Sequence, residues 1–245
     1  MVIDLFGVNE VSHSRVGGKA YNLHKLHHAG LPVPRAAVIC PHTIDVTDLA
    51  SALRELNWLN DTGLFAVRSS GVGEDSQCKS WAGIFDSYLY VKSCDIALYT
   101  QKVVDSMESS RYKKYSTESG IEISSMAVVV QEMIDADYAG VSFTTSPIEK
   151  DNRIALIEVV KGVGESLVSG QKTPATIRIN KATGMSRIQQ IGDDGLSEGA
   201  LWKISNLITP YLYEIEELYG QAMDVEWAVR NNKVYILQAR PITTI

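Results

Sequence analysis

The sequence contains few of the residues that mark disulfide scaffolds, metal-binding modules or membrane proteins. Its 245 residues include three cysteines, an odd number, with no CxxC or Cys/His spacing. This excludes a disulfide framework and favours reduced thiols. No apolar run approaches the ~20 residues of a membrane helix, and the acidic N-terminal stretch MVIDLFGVNE lacks the features of a signal peptide. These absences predict a cytoplasmic protein with no membrane partner.

A strong charge of either sign is also absent. The net charge is −6 and the pI is about 5.4, which argues against a nucleic-acid partner. A small anionic ligand stays possible, because a few well-placed cations can bind it without changing the net charge. Hydrophobic residues make up 45% and charged residues 21% of the chain, as in globular proteins. The length allows one large domain or two smaller ones.

Helical and strand patterns alternate along the chain. Ile154 to Val160 is a continuous apolar run, which predicts a strand buried on both faces. Ser197 is placed to cap a long helix that runs to Tyr219, with Pro210 expected to kink it. Further helices are expected over Ala20–Ala29 and Ile96–Tyr115, and further strands over Leu64–Arg68, Ser87–Val91 and Met126–Val130. The pattern predicts an α+β protein with mostly antiparallel sheets in two layers or lobes.

The stretch VGGKAYNL places Gly17, Gly18 and Lys19 at the start of a helix. A lysine there faces the positive end of the helix dipole, a conflict that a bound anion removes. The glycines allow backbone N–H groups to approach such an anion. The alternative is a solvated lysine after a turn, and the stretch by itself does not decide between the two.

The stretch FAVRSSGVGEDSQCKSWAGIFDSYL runs from an apolar strand into Arg68 and then through serines and glycines. A guanidinium at the end of a buried strand, followed by a loop of small residues, suits phosphate oxygens. The alternative is a polar connection in which Arg68 pairs with Glu74 or Asp75. The spacing alone leaves the two readings open.

The stretch DVEWAVRNNKVYILQARPIT, residues 224–243, is typical of a β-hairpin. A two-residue loop at Asn231-Asn232 would mix polar and apolar residues on both faces. A three-residue loop, Asn231 to Lys233, sorts the faces and is therefore predicted. It pairs Val225 with Ala239, Trp227 with Leu237, Val229 with Tyr235, Asp224 with Arg240, and Glu226 with Gln238. The polar face is either a solvated surface or part of a functional site on which loss of Arg240 would barely change stability.

The ordered set VGGKAYNL, PVP, AVRSS, WAGIFDSYL, VVVQEMI, GVSFTTSP, GVGESLVSG and DVEW…YILQARPIT extends over almost the whole chain. It resembles the N-terminal ATP-binding domain of phosphoenolpyruvate synthase, pyruvate phosphate dikinase and rifampin phosphotransferase. The resemblance implies an ATP-grasp-type fold, with ATP and Mg²⁺ in the cleft between two lobes. Residues 1–133 would form the N-terminal lobe and residues 134–245 the C-terminal lobe.

The resemblance also implies roles for residues of the first lobe. Lys19 and Arg68 match phosphate-binding cations, and both would be catalytic. Gly83 and Ser87 match the loop that covers the phosphates. The family's hinge, whose backbone meets the adenine, matches Gln131, Glu132 and Met133.

In the second lobe, Glu226 and Gln238 match the family's metal-binding pair. Arg240 matches the cation on the transferred phosphates and would be the third catalytic residue, with Asp224 as its structural support. Glu165 in GVGES matches a ribose or metal contact. The hairpin would thus supply a wall for Mg²⁺ and phosphate, since carboxylate and amide oxygens are hard ligands that suit Mg²⁺.

The family's phosphate-carrying histidine has no counterpart among the five histidines of this sequence. We therefore expect neither a phosphohistidine domain nor a phosphoenolpyruvate/pyruvate domain in these 245 residues. We also expect the chain alone to bind Mg·ATP without forming AMP in an acceptor-dependent reaction. Three functions are consistent with the residues: one part of a dikinase-like phosphotransferase that works with a histidine-carrier partner, a minimal kinase acting on a small acceptor, or a nucleotide-binding regulatory module without turnover.

Overall fold

The computed structural model describes residues 1–41, 46–59, 63–72, 84–119, 123–164, 167, 170 and 172–242. The chain divides into two compact units. The first comprises Met1–His28 and Pro34–Met133, and the second comprises Ala29–Val33 and Ile134–Ile245. None of the helices in the described part of the chain is both long and apolar enough to cross a lipid bilayer.

The first unit contains a five-stranded antiparallel sheet with the strand order β1-β2-β5-β3-β4. Its strands are β1 (Val2–Asp4), β2 (Ala36–Ile39), β3 (Leu64–Val72), β4 (Ser87–Lys92) and β5 (Ser125–Glu132). Its helices are α1 (His13–His28), α2 (Val46–Arg54), α3 (Ile96–Asp105) and α4 (Ser110–Ser119).

Helices α1 and α3 cover opposite faces of this sheet. Phe65 and Val67 of β3 pack in one apolar cluster with Ile96 and Val103 of α3. The opposite face of β3 carries Ser70, which is hydrogen-bonded to the beginning of α1. The single helix expected over Ile96–Tyr115 is instead two helices, because a 3₁₀ turn at Ser106–Glu108 interrupts it.

The second unit contains a six-stranded antiparallel sheet with the strand order β11-β10-β6-β7-β8-β9. The strands are β6 (Tyr138–Phe143), β7 (Ile154–Lys161), β8 (Ala175–Asn180), β9 (Ser186–Gln190), β10 (Met223–Arg230) and β11 (Lys233–Pro241). Among the described residues of this unit, helix α5 (Glu198–Tyr219) packs against the sheet.

Helix α5 has the boundaries and the apolar stripe that its sequence predicts. The Ser197 hydroxyl accepts a hydrogen bond from the Ala200 N–H at 3.3 Å, and Gly220 ends the helix in the left-handed region, with φ 64°. The helix continues past Pro210. Its stripe is fully buried and consists of Leu201, Ile204, Ile208, Leu212 and Ile215. Burial of this stripe holds α5 on the face of the sheet that carries Trp227. The Trp227 indole N–H donates a hydrogen bond to Ser142 Oγ at 2.8 Å.

Candidate functional site

The beginning of α1 lies unusually close to strand β3. Gly17 has φ 74° and ψ 172°, which interrupts the helix, so that regular helical backbone resumes at Gly18. A Cβ on Gly17 would lie only 2.2 Å from the Ser70 carbonyl oxygen. The Ser70 hydroxyl donates to the Val16 carbonyl at 2.7 Å and accepts from the Ala20 N–H at 3.1 Å. The predicted helix start at Gly17 and Gly18 is therefore present, and Ser70 fixes it.

Two further residues of the predicted phosphate site meet on the same sheet. Arg68 of β3 lies directly opposite Ser87 of β4. Arg68 also shares its face of β3 with Ser70, two residues further along, so it lies on the side where α1 begins. Lys19, in the first turn of that helix after Gly18, is half-buried. Lys19, Arg68 and Ser87 thus belong to one face of the first unit. Gly83 and the alternative partners of Arg68 lie outside the described residues.

The predicted hinge forms the end of central strand β5. Gln131 is buried and pairs with Ala36 and Ala66 on the two neighbouring strands. The next two backbone donors are used inside the unit: the Glu132 N–H donates to the Arg35 carbonyl at 2.8 Å and the Met133 N–H to the Leu64 carbonyl at 2.9 Å. Of the backbone groups of Glu132 and Met133, the carbonyl oxygens are therefore the ones that could contact a purine.

The hairpin of β10 and β11 combines features of both loops that the sequence allowed. Its turn has two residues, Asn231 and Asn232, with φ of 50° and 62°. Asp224–Arg240, Val225–Ala239 and Glu226–Gln238 are paired as predicted. The predicted pairs Trp227–Leu237 and Val229–Tyr235 are wrong, because Trp227 pairs with Ile236 and Val229 with Val234. A β-bulge that leaves Leu237 unmatched accounts for the change of register.

The polar face of the hairpin carries a tight ion pair. Arg240 Nε and Nη2 both donate to Asp224 Oδ2, at 2.9 Å and 2.6 Å. Only 10% of the Asp224 side chain and 30% of the Arg240 side chain are exposed. Burial raises the pKa of the Asp224 carboxyl, the Arg240 guanidinium opposes this, and the charge of Glu226 raises it further. Asp224 therefore orients Arg240, as the sequence suggested.

Two oxygen atoms on this face have no hydrogen-bond partner among the described residues. They are Asp224 Oδ1 and Gln238 Oε1, and both residues are buried, with 8% and 4% relative exposure. A buried acceptor without a donor is rare and costs free energy. Gln238 is directly opposite Glu226, so its amide oxygen and the Glu226 carboxylate together form a pair of oxygen ligands for a metal ion.

These oxygens fit the chemistry of Mg²⁺. Within the described residues no group of three His, Cys, Asp or Glu side chains is arranged to hold a metal by itself. Mg²⁺ does not need such a group, because it usually takes one or two protein oxygens and completes its shell with water and phosphate oxygens. Glu226 and Gln238 would be the protein ligands. Glu165, the other suggested contact, lies outside the described residues.

The same face becomes apolar towards the hairpin turn. Ala139, Ala228 and Ala136 form a buried cluster, and Leu237 packs against it together with Ile134 and Val163. Ala228 shares the face of Glu226 because it lies two residues further along β10. The bulge brings Leu237 into this patch, a placement that alternation of polar and apolar residues does not predict.

Two residues of interest were missed by the sequence analysis. Ser70 looked like part of a polar loop, although its hydroxyl fixes the start of α1. Glu158 lay within an apolar run that predicted only a core strand, yet it is partly exposed on β7. The serine that follows AVRS was a usable sequence signal for the role of Ser70. No local sequence pattern indicated the exposure of Glu158.

Comparison with known proteins gives the family. The model for the pyruvate phosphate dikinase AMP/ATP-binding domain matches residues 41–197 and 203–245. The chain is 33% identical over its whole length to the prodigiosin-synthesizing transferase PigC of Serratia marcescens, covering 33% of that protein. It is 31% identical over 97% of its length to a probable phosphoenolpyruvate synthase of Methanocaldococcus jannaschii, covering 26% of that protein. The chain thus spans a quarter to a third of these relatives.

A solved structure supports the fold. The dinucleotide-forming acetyl-coenzyme A synthetase 1 of Ca. Korarchaeum cryptofilum, in complex with coenzyme A and Ca-AMPCP, superposes with a TM-score of 0.51. The match covers 93% of both chains at 9% identity, so it bears on the fold alone. The α+β fold of the ATP-grasp type is confirmed. The chain belongs to the pyruvate phosphate dikinase AMP/ATP-binding domain family.

Proposed function

We propose that this chain binds Mg·ATP and activates it for transfer of a phosphoryl group to a histidine carrier or a small acceptor. The observation that carries the proposal is the order of groups along β10 and its neighbours. The face runs from the Asp224–Arg240 ion pair through Glu226 and Gln238 to the apolar patch around Ala228. Three alternate residues of a strand span roughly 13 Å, which suits phosphates, a metal and a base in that order.

Arg240 is assigned to the phosphate oxygens. Its guanidinium is held by Asp224 through one carboxylate oxygen, which fixes its orientation before a ligand arrives. A cation that is held in position in this way stabilises the negative charge that develops on phosphate oxygens during phosphoryl transfer. Lys19 and Arg68 are assigned the same task from the first unit, where Ser70 fixes the helix end that carries Lys19.

Glu226 and Gln238 are assigned to the metal. A bound Mg²⁺ would neutralise charge on the phosphates. The protein's part is to present two hard oxygens from adjacent strands, one charged and one neutral, without a competing hydrogen-bond donor on Gln238 Oε1. Glu132 and Met133 are assigned to the adenine through backbone carbonyls, and Gln131 keeps the role that the family resemblance implies. Ser87 is assigned to the phosphates, and Gly83 and Glu165 keep the roles that the family resemblance implies.

Replacing Glu226 by glutamine tests the metal assignment. The variant keeps the shape of the side chain and removes its charge, so Mg·ATP affinity should fall by at least about tenfold. Adenosine carries no phosphate or metal, and its affinity should change by less than about twofold. Isothermal titration with both ligands measures the two effects.

The control is Glu149→Gln, which removes the same charge from an exposed carboxylate paired with Arg178. It should leave both affinities unchanged. Equal losses for adenosine and Mg·ATP in Glu226→Gln would remove Glu226 from the metal site. Chromatography of products formed with ATP and Mg²⁺, with and without acceptors, then determines whether ADP, AMP or neither is released.

A further inference from the structure

Glu158 lies in the same cross-strand row as the metal pair. Gln238 is opposite Glu226, Glu226 is opposite Val141, and Val141 is opposite Glu158. Residues directly opposite in antiparallel strands share a face. Adjacent strands are 4.7–4.9 Å apart, so the α-carbons of Glu226 and Glu158 are separated by roughly 10 Å. Two glutamate side chains can approach one another across that span, with only a valine between them.

No protein cation balances Glu158 within the described part of the chain, where its carboxylate takes part in no ion pair or hydrogen bond. Its electrostatic neighbour is Asp224, which has the same sign. The nearby guanidinium of Arg240 is bound to Asp224 Oδ2. Burial raises the pKa of the Glu158 carboxyl, and the charge of Asp224 raises it further. Asp224 is therefore the common electrostatic neighbour of two further carboxylates on this face, those of Glu226 and Glu158.

A second observation on the same face concerns buried oxygens that could bind a cation. Asp224 Oδ1 and Gln238 Oε1 belong to residues that are only 8% and 4% exposed, and neither oxygen accepts a hydrogen bond from a described residue. Crowded carboxylates alone would only predict repulsion. A carboxylate beside a buried amide oxygen that lacks a donor offers the kind of oxygen ligands that a partly hydrated divalent cation binds.

We propose that Glu158 is a further cation-binding residue of this site, holding a divalent ion over Val141 directly or through one water molecule. Glu158 thereby determines the concentration of divalent metal that is needed for nucleotide binding. The inference rests on the proposed function and adds a residue on β7 to the pair on β10 and β11. In this arrangement the cation-binding face is four strands wide.

A cation-binding Glu158 affects nucleotide affinity in a way that a purely structural glutamate would not. Without metal, the Glu158 carboxylate repels a triphosphate, and its removal should leave affinity for free ATP equal or higher. With metal, the same carboxylate attracts the bound cation, and its removal should weaken binding. The effect of one substitution therefore changes sign with the presence of metal.

The experiment compares the wild-type chain with Glu158→Gln, using Glu149→Gln as the control for loss of one negative charge in the same unit. Binding of a non-hydrolysable ATP analogue is titrated in EDTA and over a series of Mn²⁺ concentrations, and bound Mn²⁺ is counted by electron paramagnetic resonance. Glu158→Gln should need about tenfold more Mn²⁺ for half-maximal nucleotide binding. In EDTA its affinity should match or exceed that of the wild type. The control should follow the wild type throughout.

An unchanged Mn²⁺ requirement in Glu158→Gln would overturn the inference while leaving the proposed function in place. Absence of nucleotide binding by the wild-type chain would instead overturn the proposed function. Thermal unfolding shows whether the glutamine variant is folded. Should it not be, Glu158→Asp keeps the charge but shortens the side chain, and it should raise the Mn²⁺ requirement by a smaller factor. A Glu158→Asp requirement equal to that of the wild type would count against the inference.

Discussion

Replacing Arg240 by alanine is expected to reduce Mg·ATP affinity by more than about tenfold and to lower the melting temperature as well. The sequence places Arg240 on a polar face, where its loss would barely affect stability. The structure changes that expectation because its partner, Asp224, is only 10% exposed. Removing the arginine leaves a buried carboxylate without its cation, beside Glu226 and Glu158.

The size of the stability loss follows from the exposure of the pair. Breaking a fully buried ion pair costs 3–5 kcal/mol, and the 30% exposure of Arg240 reduces this to about 2 kcal/mol. In a chain of this length the melting temperature should fall by roughly 4–8 °C. Calorimetry on the free protein measures this shift separately from nucleotide affinity.

The double variant Asp224→Asn/Arg240→Ala separates the two roles of Arg240. Neutralising the partner removes the unpaired charge, so most of the lost stability should return. Phosphate affinity should not return, because the guanidinium is still absent. Recovery of Mg·ATP binding in the double variant would mean that Arg240 acts only as a counterion to Asp224. Unchanged affinity in Arg240→Ala would have the same meaning.

The hairpin shows how far sequence alone predicts the candidate site. Alternation of polar and apolar residues correctly paired Asp224 with Arg240 and Glu226 with Gln238, because one face must be buried. It failed near the turn, where both allowed loops assumed an unbroken ladder. The bulge at Leu237 allows a two-residue turn to coexist with the predicted pairs Asp224–Arg240 and Glu226–Gln238. Because a bulge inserts one extra residue into one strand, the alternation of polar and apolar residues does not reveal where it lies.

Glu158 was beyond reach of sequence analysis for a different reason. Local pattern predicted its strand well, from Ile154 to Val160 against the observed Ile154–Lys161. The position of that strand relative to Glu226 depends on β6 lying between β7 and β10, an order set by long-range packing. Contacts between residues far apart in sequence carry no periodic signal in either segment. The sequence therefore predicted the individual strands, but not that Gln238, Glu226 and Glu158 lie in one cross-strand row.

Gly17→Ala should have the largest effect on both stability and binding. The substitution requires an L-residue at φ 74°, and its Cβ would lie 2.2 Å from the carbonyl oxygen of Ser70 and 2.6 Å from its carbonyl carbon. These are backbone atoms of β3, a strand paired on both sides, and they cannot rotate away. The start of α1 must move from β3, which breaks both hydrogen bonds of the Ser70 hydroxyl. We expect a loss of roughly 4 kcal/mol, with Mg·ATP binding lost because Lys19 moves with the helix end.

Gly184→Ala is the matched control for this prediction. Gly184 has a similar φ of 70°, but nothing lies within 4 Å of a Cβ built there, so its alanine variant should lose only about 1 kcal/mol. Ser70→Ala keeps Gly17 and removes the two hydrogen bonds, which should cost about 2 kcal/mol. Denaturant unfolding of the three variants should rank them Gly17→Ala, Ser70→Ala, Gly184→Ala in decreasing loss. Equal losses for the two glycine variants would show that the close approach of α1 to β3 does not hold the helix end, and with it Lys19, in place.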